Sequence, residues 1–214
     1  MDWNLPNKLT VGRIALSAAF FVLLGLYQHN SSCGPWLLNI AFAVYLIAGI
    51  SDVLDGYLAR KLNLVSAFGR IADPFVDKVL VVGAFAMLAG SNFAIAGDVP
   101  DLKLPWWMTG GMGSAVQAWM VVVILAREFI VSAVRGYSES CGIKFPATSA
   151  GKIKMFVQSV AICMVLVQMA NWQHVAVAVY IKVALVWLAT IITLLSGLVY
   201  VGRARGLLGR GVDA

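Results

Sequence analysis

The sequence predicts an all-α polytopic membrane protein with six transmembrane helices and both termini cytoplasmic, and three observations predict it. Mean hydropathy is +0.86 and only 12% of the 214 residues are charged, whereas a soluble domain carries roughly a quarter. Six apolar runs approach the roughly 20 residues needed to cross a hydrocarbon core. The cations, finally, gather in alternate connections.

The runs cover about 11–28, 36–59, 72–91, 115–137, 151–171 and 175–201. The first follows MDWNLPNKLTVGR, which is too polar for the n-region of a cleaved leader, and no small-residue cleavage pattern clearly follows it, so it reads as a retained span. Lys8 and Arg13 lie at its start; Arg60, Lys61 and Arg70 lie between the second and third runs; Arg135, Lys144, Lys152 and Lys154 lie between the fourth and fifth; Arg203, Arg205 and Arg210 follow the sixth. The opposite connections hold QHNSSCGP, a Gly/Trp/Pro-rich stretch over 91–114, and NWQH, with few cations. The positive-inside bias therefore puts the termini and the two basic loops in the cytoplasm. Lys182 is the exception on the far side, and Trp106 and Trp107 suit the outer headgroup zone.

No internal repeat, heptad or long linker divides the chain, so a single domain over 1–214 is expected. Cys33, Cys141 and Cys163 are odd in number and widely spaced, which indicates neither a disulfide framework nor a zinc site. The net charge of +6 is dispersed at the ends of apolar runs. Anionic lipid headgroups, rather than nucleic acid, are the expected partner.

Between the second and third runs stands DVLDGYLARKLNLVSAFGRIADPFVD. Asp52, Asp55, Gly56 and Ala59 fall at i, i+3, i+4 and i+7, on one helical face, and Asp73 and Asp77 share another, with Pro74 acceptable if it opens its helix. Solvated helix-end charges paired with Arg60, Lys61, Arg70 and Lys78 are the plain alternative. Four carboxylates at these spacings beside small residues instead suit hard divalent ions, which relieve their mutual repulsion and favour oxygen ligands. Two-metal phosphoryl-transfer chemistry is the natural use of such a site. Gly56 and Ala59 leave room for a ligand against the helix backbone.

Position for position, this stretch resembles the signature of the CDP-alcohol phosphotransferase family: Asp52, two residues, Asp55-Gly56, two residues, Ala59-Arg60, eight residues, Gly69, three residues, Asp73, three residues, Asp77. The resemblance implies a six-helix membrane enzyme, usually a homodimer, that moves a phosphoalcohol group from a CDP-linked donor to an acceptor hydroxyl and releases CMP. It further implies that Asp52, Asp55, Asp73 and Asp77 ligate two divalent ions, Mg2+ or Mn2+, that Asp77 is the general base, and that Gly56, Ala59, Arg60 and Gly69 border the cytidine and diphosphate.

The acceptor is read elsewhere. Arg127 lies inside an apolar run two turns before Arg135, and Glu128 beside it points about 100° away, which makes it a poor direct partner. A carboxylate on another helix is one way to satisfy Arg127. The other is a phosphate on the acceptor, bound by Arg127, Arg135 and Lys152, because guanidinium forks match phosphate oxygens. LPNKLTVGRI, LAREFIVSAVR and AGKIKMFVQ are similar to segments of the phosphatidylglycerophosphate-forming branch of the family, in which glycerol 3-phosphate is the acceptor and CDP-diacylglycerol the donor. In that branch Asn7 and Thr10 lie near the nucleotide and Arg13 near the shared pocket; capping of an ordinary helix start is the alternative for Asn7 and Thr10. Met155, where threonine is common, and the long 91–114 loop are departures.

The expected reaction is direct, because no activated serine or cysteine adjoins the aspartates. Within the family, phosphatidylinositol phosphate synthesis is the rival. Prenyl transfer leaves the DG and AR elements unexplained, and a cation transporter usually carries its site near the midplane, not beside the cytoplasmic cations.

Overall fold

Helices account for nearly every regular element among the described residues. The computed structural model describes residues 5–29, 33–62, 67–95, 104–140 and 149–211, and within these it does not describe the side chains of 5–9, 55–60, 62, 67–74, 149–150 and 203–211. Among the described residues run α1 (Leu5–Leu26), α2 (Gly34–Leu62), α3 (Ala67–Leu88), the short α4 (Trp106–Thr109), α5 (Ala118–Ser140), α6 (Ser149–Asn171) and α7 (Ala176–Gly211). A single 3-10 turn, Ser91–Phe93, and one isolated antiparallel bridge, Ala94 to Met112, interrupt the pattern.

Each of the six apolar runs overlaps one long helix, and the differences are systematic. At one end of the bundle the helices outrun their apolar stretches: α1 begins at 5 rather than 11, α3 at 67 rather than 72, and α7 ends at 211 rather than 201. Apolarity marks the part of a helix suited to hydrocarbon, whereas backbone hydrogen bonding continues into polar sequence. One expectation falls for this reason. Pro74 does not open α3 but sits in its third turn, since α3 starts at Ala67. Lacking an N–H, it leaves the Arg70 carbonyl without its usual helical donor.

Packing brings α1 against α2 and α3, α2 against α6, α6 against α7, α5 against α7, and α3 against both α5 and α6. The shared apolar core takes Phe20 from α1, Tyr45 from α2, Phe85 from α3, Ile124 from α5, Ile162 from α6 and Val186 from α7, all buried. Large apolar side chains such as Val22, Ile50, Phe129, Phe156 and Leu198 face outward, while Arg13, Arg127, Lys154, Gln158 and Lys182 are buried. That inversion is what an apolar solvent demands. By length and composition Gly34–Leu54, Gly151–Asn171 and Ala176–Gly202 are each able to cross a membrane, and Thr10–Leu26 is apolar but shorter. α5 carries Arg127, Glu128, Arg135 and Glu139 along its length.

The end away from the basic loops is tied by polar contacts. Asn92 Nδ2 donates to the Gly25 carbonyl at 2.9 Å, Ser114 Oγ to the Leu88 carbonyl at 2.6 Å, and the Asn39 and Asn171 amides bond each other. Lys182, the far-side cation, donates to the Gly113 carbonyl at 2.5 Å and to Gln168 Oε1 at 2.7 Å. Trp187 Nε1 donates to the Met108 carbonyl at 3.0 Å, and the Trp187 ring meets Trp107 and Trp119 edge-on, so the 104–117 segment is packed down onto α7. Trp106 is exposed.

The approach of α3 to α1 depends on Gly83, where a Cβ would stand 2.5 Å from Phe21 Cζ. Gly83→Leu is therefore expected to lower stability by about 1–3 kcal/mol through overpacking. Gly49→Ala, at a position where a Cβ meets nothing within 4 Å, is expected to be neutral or stabilising. Thermal unfolding of the two variants in detergent checks this; equal midpoints would contradict the close approach.

Candidate active site

At the polar end of the bundle three helices meet on one guanidinium. Arg13, buried on α1, donates from Nη1 to Asp77 Oδ1 on α3 at 2.6 Å and to Asp52 Oδ1 on α2. Ser17 Oγ donates to the Arg13 carbonyl one turn on, and Thr10, also buried, lies nearly one turn before. Two signature carboxylates from separate helices thus converge on one cationic centre. The backbone carries Asn7 on α1, Asp55, Gly56, Ala59 and Arg60 on α2, and Gly69 and Asp73 on α3, but their side chains lie outside the described residues. Among the described residues no group of three or more His, Cys, Asp or Glu side chains gathers. What is described suits a hard cation: the donors are carboxylate oxygens, and both already meet positive charge.

Asp77 also lines a cavity of about 610 Å³ between α3, α5, α6 and α7, within the usual range for small-ligand sites, roughly 300–1,000 Å³. Its wall carries the cations Lys78, Arg127, Arg135, Lys152 and Lys154 against Asp77, Glu128 and Glu139. All three residues expected to hold an acceptor phosphate, Arg127, Arg135 and Lys152, therefore share one chamber with Asp77, although α3, α5 and α6 are far apart in sequence. Met155 lies on the same wall, so the departure from threonine falls on the cationic cavity.

The cations are not equivalent. Arg127 Nη1 donates to Glu128 Oε1 at 3.0 Å, and Lys154 Nζ reaches the same oxygen from α6. The expectation that Glu128 is a poor partner for Arg127 is therefore wrong. Adjacent residues diverge on a helix, but both side chains are long enough to fold toward one another, and burial makes an unpaired charge costly. Arg127 is held further by Nε donating to Ser196 Oγ at 3.1 Å and by the Tyr200 ring, 5.4 Å from its guanidinium carbon. Gly197 makes space for it, since a Cβ there would stand 3.1 Å from Arg127 Cγ. Lys78 donates to Ser132 Oγ at 2.6 Å, whose hydroxyl bonds the Glu128 carbonyl. Arg135 and Lys152 make no ion pair among the described residues, and the buried Arg135 Nε has no hydrogen-bond partner there. Spacing pointed to Arg127 and Arg135 through their shared face; it held no signal for the cross-helix pair of Glu128 with Lys154.

The description "CDP-alcohol phosphatidyltransferase" fits residues 3–195 of the chain. The chain belongs to the CDP-alcohol phosphatidyltransferase family. It is similar to the CDP-diacylglycerol–glycerol-3-phosphate 3-phosphatidyltransferase of Bacillus subtilis, 33% identical over 94% of this chain and 95% of that one. The protein of the same name from Rickettsia bellii is 30% identical over 94% of each chain. A probable phosphatidylglycerophosphate synthase of Mycobacterium tuberculosis is 33% identical over 94% of this chain and 81% of its own. The matched span includes Arg13, Asp52, Asp77 and the cations that line the cavity, Lys78, Arg127, Arg135, Lys152 and Lys154.

The paired and unpaired lysines are expected to separate in a stability measurement. Lys154→Met leaves a buried Glu128 short of a partner and is expected to cost several kcal/mol, up to about 3–5. Lys152→Met removes an exposed cation that makes no ion pair among the described residues and is expected to cost less than about 0.5 kcal/mol. Unfolding in detergent that ranks them equally would contradict the pairing.

Proposed function

We propose that this chain transfers the phosphatidyl group of CDP-diacylglycerol to the 1-hydroxyl of glycerol 3-phosphate, giving phosphatidylglycerophosphate and CMP. The observation that carries the reading is the shared cavity, lined both by the carboxylate Asp77 and by the cations Arg127, Arg135 and Lys152, the two features that a phosphate-bearing alcohol requires. The names of the relatives agree with it.

In this reading Arg127, Arg135 and Lys152 form the acceptor-phosphate wall, with Arg135 and Lys152 offering the donors that no described carboxylate claims. Asp77 takes the proton of the acceptor hydroxyl as its oxygen bonds the phosphatidyl phosphorus and the phosphorus–oxygen bond to CMP breaks. Asp52, Asp55, Asp73 and Asp77 would hold two divalent ions, Mg2+ or Mn2+, which supply charge neutralisation at the donor diphosphate. Asn7, Thr10, Gly56, Ala59, Arg60 and Gly69 border the CDP moiety. Arg13 pairs with both Asp52 and Asp77 and offsets their mutual repulsion.

The remaining elements of the proposal concern the setting. The six long helices each cross the bilayer of a cell inner membrane, with both termini and the active site on the cytoplasmic face, where the cations cluster. The chain acts as a single domain over 1–214 and works as a homodimer.

Purified protein supplied with CDP-diacylglycerol, Mg2+ or Mn2+, and glycerol 3-phosphate, inositol 1-phosphate or serine is expected to release CMP with glycerol 3-phosphate alone. Release only with another acceptor would overturn the acceptor assignment. Asp77→Asn is expected to reduce turnover by at least about 100-fold, and near-normal turnover would remove it as the base. Arg135→Ala is expected to raise the KM for glycerol 3-phosphate about tenfold or more, the loss of one charge-assisted bond, with the KM for CDP-diacylglycerol little changed. Arg13→Met is expected to unfold at lower temperature without divalent ions, and millimolar Mg2+ to restore more stability than in the unsubstituted protein. An equal response to Mg2+ would contradict the role given to Arg13.

A further inference from the structure

Deep on α6, Gln158 lines the cationic cavity and is fully buried. Its Nε2 donates to Thr193 Oγ1 on α7 at 2.9 Å, and Thr193 Oγ1 in turn donates to the Ala189 carbonyl at 2.6 Å. A hydroxyl has one hydrogen. Because that hydrogen goes to Ala189, Thr193 serves Gln158 only as an acceptor, which turns the amide nitrogen toward α7. Gln158 Oε1 is left buried with no hydrogen-bond partner among the described residues. A buried acceptor without a donor is costly and rare in native proteins.

The same cavity wall holds the complementary orphan, the Arg135 Nε donor. Along α6, Gln158 lies six residues beyond Lys152, about 9 Å further down the axis. The chamber therefore presents cationic donors unclaimed among the described residues, Arg135 on α5 and Lys152 on α6, and a neutral acceptor nearly two turns further along α6. An occupant that satisfies both carries an anionic group and, a few atoms away, a hydroxyl that donates.

We infer that Gln158 is a specificity-determining residue that accepts a hydrogen bond from a hydroxyl of the acceptor other than the attacking one, selecting phosphorylated polyols over phosphorylated simple alcohols. The inference rests on the phosphoalcohol reading of the cavity and deepens it. In glycerol 3-phosphate the hydroxyl is that on the central carbon. Sites built to bond a substrate hydroxyl discriminate strongly against analogues that lack it, because the protein group is then left unpaired.

The test compares glycerol 3-phosphate with propane-1,3-diol monophosphate, which keeps the attacking hydroxyl and the phosphate but lacks the central hydroxyl, and reads CMP release. The unsubstituted protein is expected to show a kcat/KM for the diol phosphate lower by roughly tenfold or more. Gln158→Met, similar in volume and a good helix former, is expected to lower kcat/KM for glycerol 3-phosphate by a similar factor and to leave the diol phosphate unchanged, which erases the preference. Equal losses on both substrates, or no loss on either, would overturn the assignment. So would an unsubstituted protein that uses both substrates equally well, a result that does not depend on how the variant folds. Absence of CMP release from the unsubstituted protein with glycerol 3-phosphate would remove the underlying reading, and this inference with it.

Discussion

The constraint on which the site depends is the sharing of one buried guanidinium by two carboxylates. Arg13 on α1 meets Asp52 on α2 and Asp77 on α3, and two aspartates brought together without it would repel. The arrangement joins three helices by charge at the end where the helices run past their apolar stretches. It also fixes Asp77, which stands at the junction between that triad and the cationic cavity.

Charge pairing then divides labour around the cavity. Buried ions in lipid-facing helices persist only when partnered. Glu128 satisfies Arg127 and Lys154 at once, and Ser196 and Tyr200 complete the surroundings of Arg127. Of these, Arg127, Glu128, Lys154 and Tyr200 line the chamber. Arg135 and Lys152 lack such partners among the described residues, which is why the proposed acceptor-phosphate site is centred on them. The same distinction runs through the neutral groups, where Thr193 claims one side of the Gln158 amide and leaves the other open.

Much of this was legible in the chain. Hydropathy located all six long helices, and helical periodicity put Arg127 and Arg135 on related faces. Charge and phosphate chemistry grouped them with Lys152, and the fold brings all three into one chamber with Asp77. Less was legible wherever the outcome turned on contacts between helices. Spacing on α5 argued against Glu128 as a partner of Arg127, yet the pair forms because both side chains are long and Lys154 arrives from α6. Arg13 read as a residue near the pocket; its position between Asp52 and Asp77 depends on how α1 packs against α2 and α3, which no single-helix pattern encodes. Pro74 was misread because the apolar run begins later than the helix. The open oxygen of Gln158 depends on a hydroxyl 35 residues away.

The most direct test of the central claim, that the acceptor phosphate and Asp77, the proposed base, share one chamber, is an experimentally determined structure with glycerol 3-phosphate and Mn2+ bound. The account predicts phosphate density against Arg135 and Lys152, with the acceptor hydroxyls directed toward Asp77 and Gln158. Phosphate density outside the α3, α5, α6 and α7 cavity, with that cavity left to lipid or water, would contradict it.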